Sequence, residues 1–124
     1  STVCLFKITN LEDINENFSR ETGNQIVTAV SEEVSSNLAE EYILVRYMGP
    51  KFAIVFSGIE LNAIVSFMGQ LKEKIEEIEI EGANPKINIV LSTYYKGTAL
   101  EGLTKKLEEY LDEADKEENT INYL

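Results

Sequence analysis

Two short stretches carry polar side chains at spacings that could serve a ligand: Lys7-Ile8-Thr9-Asn10, followed by Glu12, Asp13, Asn15 and Glu16, and Met48-Gly49-Pro50-Lys51. The chain has no histidine, so the commonest general base and the commonest zinc ligand are missing, and any chemistry falls to carboxylates or lysines. Lys7 and Lys51 could hold phosphate as point charges, whereas most surface lysines are simply solvated. Glu12, Asp13 and Glu16 sit at helical spacing and read as a solvated face rather than a metal-ligand set. The only cysteine, Cys4, lies in an apolar run and reads as a reduced core side chain, not a nucleophile.

The elements that must position these residues follow from periodicity. Thr2 to Ile8 is β-branched and aromatic-rich and reads as a buried strand. Leu11, Ile14, Asn15 and Phe18 fall at helical spacing, and Gly23 is expected to separate that short helix from a longer one carrying Ile26, Val27, Val30, Val34 and Leu38 on one face. Tyr42 to Tyr47 and Phe52 to Phe56 form a hairpin with Met48, Gly49, Pro50 and Lys51 as a four-residue tip. Leu61, Ile64, Val65, Met68, Leu71, Ile75 and Ile78 mark the apolar stripe of an amphipathic helix. After a loop from Gly82 to Pro85 come a strand through Ile87, Ile89, Val90 and Leu91 and a last helix through Leu103, Leu107, Tyr110, Leu111 and Ala114. A short edge strand is expected in Thr120 to Leu124. The order β-α-α-β-β-α-β-α-β implies an α+β fold, a ferredoxin-like or palm-type mixed sheet of about five strands with flanking helices and an antiparallel centre.

A length of 124 residues with 44% apolar and 27% charged residues is that of one globular domain. The 22 acidic and 11 basic residues give a net charge of −11, which repels phosphate backbones and anionic lipid, so neither nucleic acid nor membrane insertion is expected. No apolar run approaches the roughly 20 residues of a membrane span, and the N-terminus lacks a signal-peptide pattern. A cytoplasmic location is expected, either free or as the cytoplasmic part of a membrane-anchored protein.

Taken together, LFKITNLEDINENF and RYMGPKFAIVF resemble the GGDEF diguanylate cyclase family. There the first strand ends in a pattern like D-x-D-x-F-K-x-I-N-D and the hairpin reads R-Y-G-G-D-E-F. The matching positions are Lys7, Thr9, Asn10, Leu11, Ile14, Asn15 and Glu16, then Arg46, Tyr47, Met48, Gly49, Pro50, Lys51 and Phe52. Gly23 matches a glycine between the family's two helices, and INIVLST matches a further strand, so the resemblance spans residues 1–124 as a single domain. Active members bind divalent metal through the first aspartate of the strand motif and the third hairpin position, which are Lys7 and Pro50 here.

The resemblance therefore implies a degenerate GGDEF-like domain that is not an enzyme, with no catalytic residue, no metal and no cofactor. Its role would be regulation or protein interaction in cyclic-di-GMP-type signalling. The alternative is a metal-independent GTP sensor using Asn15, Asn24, Lys7, Gly49 and Lys51, since the family contacts guanine with an asparagine and an aspartate that match Asn15 and Asn24. The family's inhibitory R-x-x-D motif falls on Ala39 and Tyr42, so feedback binding of product is not expected. Partners would be other domains of a larger protein, of which this domain would be a fragment, or a protein partner. The resemblance also admits a homodimer and GTP.

Overall fold

β1 (Thr2–Ile8) is the central strand because both of its faces are apolar: Cys4, Phe6 and Ile8 point one way, Val3 and Leu5 the other, and all are buried. A strand covered on both sides reads as a continuous apolar run rather than an alternation. The computed structural model describes residues 2–93, Lys105, Glu109 and the backbone of residues 121–123. β1 pairs antiparallel with β3 (Lys51–Phe56) on one side and with β4 (Ile87–Thr93) on the other. β2 (Ile43–Met48) flanks β3 antiparallel, and β5 (Ile121–Tyr123) flanks β4 in parallel, giving the order β2-β3-β1-β4-β5. The mixed sheet with an antiparallel centre and a C-terminal edge strand is thus present. Of the expected last helix, Lys105 and Glu109 are described and helical, and its apolar positions Leu103, Leu107, Tyr110, Leu111 and Ala114 lie outside the described residues.

α1 (Leu11–Asn17), α2 (Arg20–Asn37) and α3 (Leu61–Glu76) supply one face of the core. Ile14 from α1, Ile26, Val30 and Val34 from α2, and Ile64, Met68, Leu71 and Ile75 from α3 close over Cys4, Phe6, Phe52, Ile54, Ile89 and Leu91. Each large side chain buried this way contributes about 1.5–3 kcal/mol. Val3, Leu5, Ala53 and Val90 form a smaller cluster on the opposite face. Phe6 and Phe52 are register partners, stacked at 4.9 Å between ring centroids, a geometry worth about 0.5–1.5 kcal/mol beyond burial. Because a one-residue slip would turn every side chain to the other face, this pair also fixes Lys7 opposite Lys51, its neighbour in register.

Three boundaries differ from the sequence reading. Met48 pairs with Lys51, so the hairpin tip is the two residues Gly49-Pro50 rather than four. Gly49 takes φ +53, which suits the first central position of a type II′ turn, and proline's restricted φ suits the second. Gly23 does not separate the helices: α1 ends at Asn17 with Phe18 as its C-cap, Ser19 caps α2 by accepting from Thr22 N–H at 3.0 Å, and Gly23 is buried inside the first turn of α2. α3 ends before Ile78, and a tight turn follows in which Ile80 and Ala83 exchange backbone hydrogen bonds across Glu81 and Gly82, both at positive φ. No described helix is long and apolar enough to cross a membrane.

Candidate functional site

The end of β1 is held by backbone and asparagine contacts as well as by the burial of Ile8. Ile8 N–H donates to Pro50 O at 3.0 Å, which pins the hairpin tip beside the strand, and Thr9 N–H donates to Lys86 O at 2.8 Å. Asn10 then clamps the chain turn: its Nδ2 donates to Asn84 O at 2.8 Å and its Oδ1 accepts from Lys86 N–H at 2.9 Å. α1 starts at the next residue, with Ile14 N–H donating to Asn10 O at 3.0 Å. This geometry sets Glu12 and Asn15 of α1 beside Lys7 of β1 and Lys51 of β3.

The result is a pocket of about 390 Å³ whose polar lining comes from Lys7, Thr9, Glu12, Asn15 and Lys51, with Pro50 at its hairpin side. Lys7 and Lys51 are half-buried register partners, and like charges placed opposite each other on neighbouring strands repel. Asn15 contributes an unusual atom: its Oδ1 is buried and accepts no hydrogen bond from the described residues. Such an orphan acceptor costs about 1–3 kcal/mol, so the side chain is held there by shape and not by the local backbone bond that a residue near a helix end often makes.

Of the other residues singled out in the sequence, Gly49 is exposed at the tip with nothing near its missing Cβ, and Phe52 is committed to the core. Asn24 does not join the pocket. It lies exposed on α2, along a wider hollow of about 500 Å³ shared with Glu21, Gln25, Thr28, Glu32 and Ile80. That hollow is larger but acidic and built almost wholly from one helix, whereas the pocket at the strand ends gathers cationic and amide groups from β1, α1 and the hairpin. Tyr42 is half-buried and packs its ring on Phe56 at 5.1 Å. Asn10 was invisible as a clamp because its partners Asn84 and Lys86 lie more than 70 positions away. Ser19 carried a signal, the capping residue before a helical run.

The donor set does not fit a divalent cation. Magnesium takes oxygen ligands, chiefly carboxylates and phosphates, and among the described residues the pocket offers the Glu12 carboxylate beside the ammonium groups of Lys7 and Lys51. Among the described residues no three Cys, Asp or Glu side chains group at metal-binding distance. Burial pushes the thiol of Cys4 well above the usual range, which keeps it protonated and unreactive.

With this geometry in hand, the relatives fall into one class. The family model described as diguanylate cyclase, GGDEF domain, matches residues 1–120. Diguanylate cyclase DosC of Escherichia coli strain K12 is 24% identical over 83 residues, covering 67% of this chain and 18% of that protein. The chain therefore spans under a fifth of that curated relative. Among solved structures, diguanylate cyclase SiaD from Pseudomonas aeruginosa, in complex with its activator SiaC, superposes with a TM-score of 0.90 at 10% identity, over 99% of this chain and 49% of that one. The GGDEF domain of DgcB from Caulobacter crescentus, in complex with c-di-GMP, superposes with a TM-score of 0.85 at 14% identity, over 98% and 77%. The fold of the described residues agrees with these, and by its family match the chain belongs to the GGDEF domain family of diguanylate cyclases.

Proposed function

We propose that this GGDEF domain does not cyclise GTP and acts instead as a regulatory or interaction module in cyclic-di-GMP-type signalling, within a larger protein. One observation carries the reading: at the joint of β1 and the hairpin tip, the pocket presents Lys7, Pro50 and Lys51 where metal-assisted phosphoryl transfer calls for carboxylates that hold magnesium on the triphosphate. Proline has no side-chain ligand, and an ammonium repels the ion. The retained sheet and helices keep surfaces that a linked domain or a protein partner can use, in line with the separation of fold from site chemistry.

Metal binding tests this at the site itself. Mn²⁺ added with GTP leaves the amide resonances of residues 7, 49 and 51 sharp, because no ion is held there. Selective paramagnetic broadening centred on those residues overturns the reading.

A second reading is favoured by the pocket's cations. Lys7 and Lys51 supply in place the positive charge that a metal would bring to a triphosphate, and Asn15 adds an amide at the same pocket, so the domain would sense GTP or a related nucleotide without metal. Asn24 contributes only if the ligand reaches over the start of α2. GTP titrated in the presence of chelator then shifts Lys7, Asn15 and Lys51, and Lys7→Ala weakens binding about tenfold, the loss of one charge-assisted contact. No affinity at millimolar GTP removes this second reading and leaves the first in place.

A further inference from the structure

We propose that Gly23 is a positioning residue for the pocket: it seats the Asn15 carboxamide with Oδ1 turned into the protein and Nδ2 presented to the ligand as a donor. The inference rests on the reading of the pocket as a nucleotide site. Gly23 is buried in the first turn of α2, its N–H committed to Ser19 O at 3.0 Å. A Cβ built on it would overlap Asn15 Oδ1, stand 2.9 Å from Asn15 Cγ and 3.3 Å from Leu11 Cδ1. The missing side chain of Gly23 is therefore the space that the carboxamide occupies.

Two further observations give that contact a direction. Asn15 Oδ1 is buried with no N–H or O–H donor among the described residues, and it lies against the backbone of Gly23, a weak C–H···O contact at most. The same side chain lines the pocket, and with the oxygen turned inward the polar atom left to face it is Nδ2. An amide nitrogen only donates, as do the ammonium groups of Lys7 and Lys51. Thr9 and Glu12 add acceptor oxygens to the same lining, so the donor side of the pocket is these three nitrogen groups, which suit phosphate oxygens at the lysines and a carbonyl or ring nitrogen of a nucleobase at Asn15. An alanine at position 23 would force the carboxamide out of its seat and take that donor away.

Calorimetric titration of GTP in chelator, run with thermal unfolding on wild type, Gly23→Ala, Asn15→Ala, Asn15→Asp and the Asn15→Ala/Gly23→Ala double variant, tests the assignment. Gly23→Ala and Asn15→Ala each weaken GTP about tenfold, and the double variant binds no worse than either alone, because both remove one contact. Asn15→Asp, the same shape without a donor, loses at least as much. Gly23→Ala lowers the melting temperature, and truncating Asn15 in the double variant restores most of it by emptying the contested space, an effect that a purely helical role for Gly23 would not show. Wild-type affinity in Gly23→Ala, multiplicative losses in the double variant, or tighter binding by Asn15→Asp each overturn the proposal. Failure of the wild-type protein to bind GTP overturns the nucleotide reading and the ligand half of the proposal with it, and failure of the melting temperature to recover overturns the seating of Asn15 independently.

Discussion

At the scale of single residues, the site is decided by side chains that either complete a contact or deny one. Asn10 makes two hydrogen bonds that close the turn after β1. Asn10→Ala lowers stability by about 1–2 kcal/mol, measured by urea denaturation, and loosens the pocket, seen as broadened amide signals from Thr9 to Glu12. Cys4 behaves oppositely, contributing packing and no chemistry. Its thiol, pushed up by burial, stays protonated in the fold while the unfolded chain begins to ionise near pH 8.5. The folded state then holds more protons, so stability is unaffected below that pH and falls by up to about 1.4 kcal/mol per pH unit above it. Cys4→Ala removes that component of the alkaline slope, and a thiol reagent labels the wild-type protein only as fast as it unfolds.

At the scale of elements, most of what positions the site was legible from local pattern. The apolar run from Thr2 to Ile8, the two strand-like runs around Gly49-Pro50 and the stripe from Ile64 to Ile75 are periodic signals strong enough to survive tertiary packing, and each forms the element expected of it. What was not legible depended on contacts distant in sequence. Gly23 reads as a break when taken alone, since glycine disfavours helix interiors. Its place in the structure is inside α2, because Ser19 starts the helix and the packing of Asn15 leaves room for no other side chain there. The shorter hairpin tip follows from an irregularity in register between Arg46 and Met48, a feature that alternation alone does not reveal. Within the candidate site, Lys7, Asn15 and Lys51 were identified in the sequence and are brought together, while Gly49 and Asn24 stand outside the pocket. Ser19→Ala, which removes the cap that accepts from Thr22, costs about 1 kcal/mol, measured as a lowered denaturation midpoint with an unchanged slope. Phe52→Ala, emptying one half of the stacked pair beneath the lysines, costs about 3–5 kcal/mol by the same assay.

At the scale of the whole molecule, a net charge of −11 contrasts with the two lysines that line the pocket at the end of the sheet. The overall charge opposes approach of any polyanion, so a phosphate-bearing ligand must gain its affinity locally, and added salt weakens the short-range lysine contacts less than it screens the long-range repulsion. The same self-repulsion opposes the folded state, and raising the salt from low to moderate concentration lifts the melting temperature by a few degrees, as expected for about 1 kcal/mol in a domain of this size. Under the function proposed above, this GGDEF framework does not join two GTP molecules with release of pyrophosphate. Incubating the purified protein with GTP and either Mg²⁺ or Mn²⁺, and resolving the nucleotides by chromatography, asks this directly. Recovery of GTP unchanged with no pyrophosphate formed is the outcome that follows from Lys7, Pro50 and Lys51 at the pocket; metal-dependent accumulation of cyclic di-GMP contradicts it.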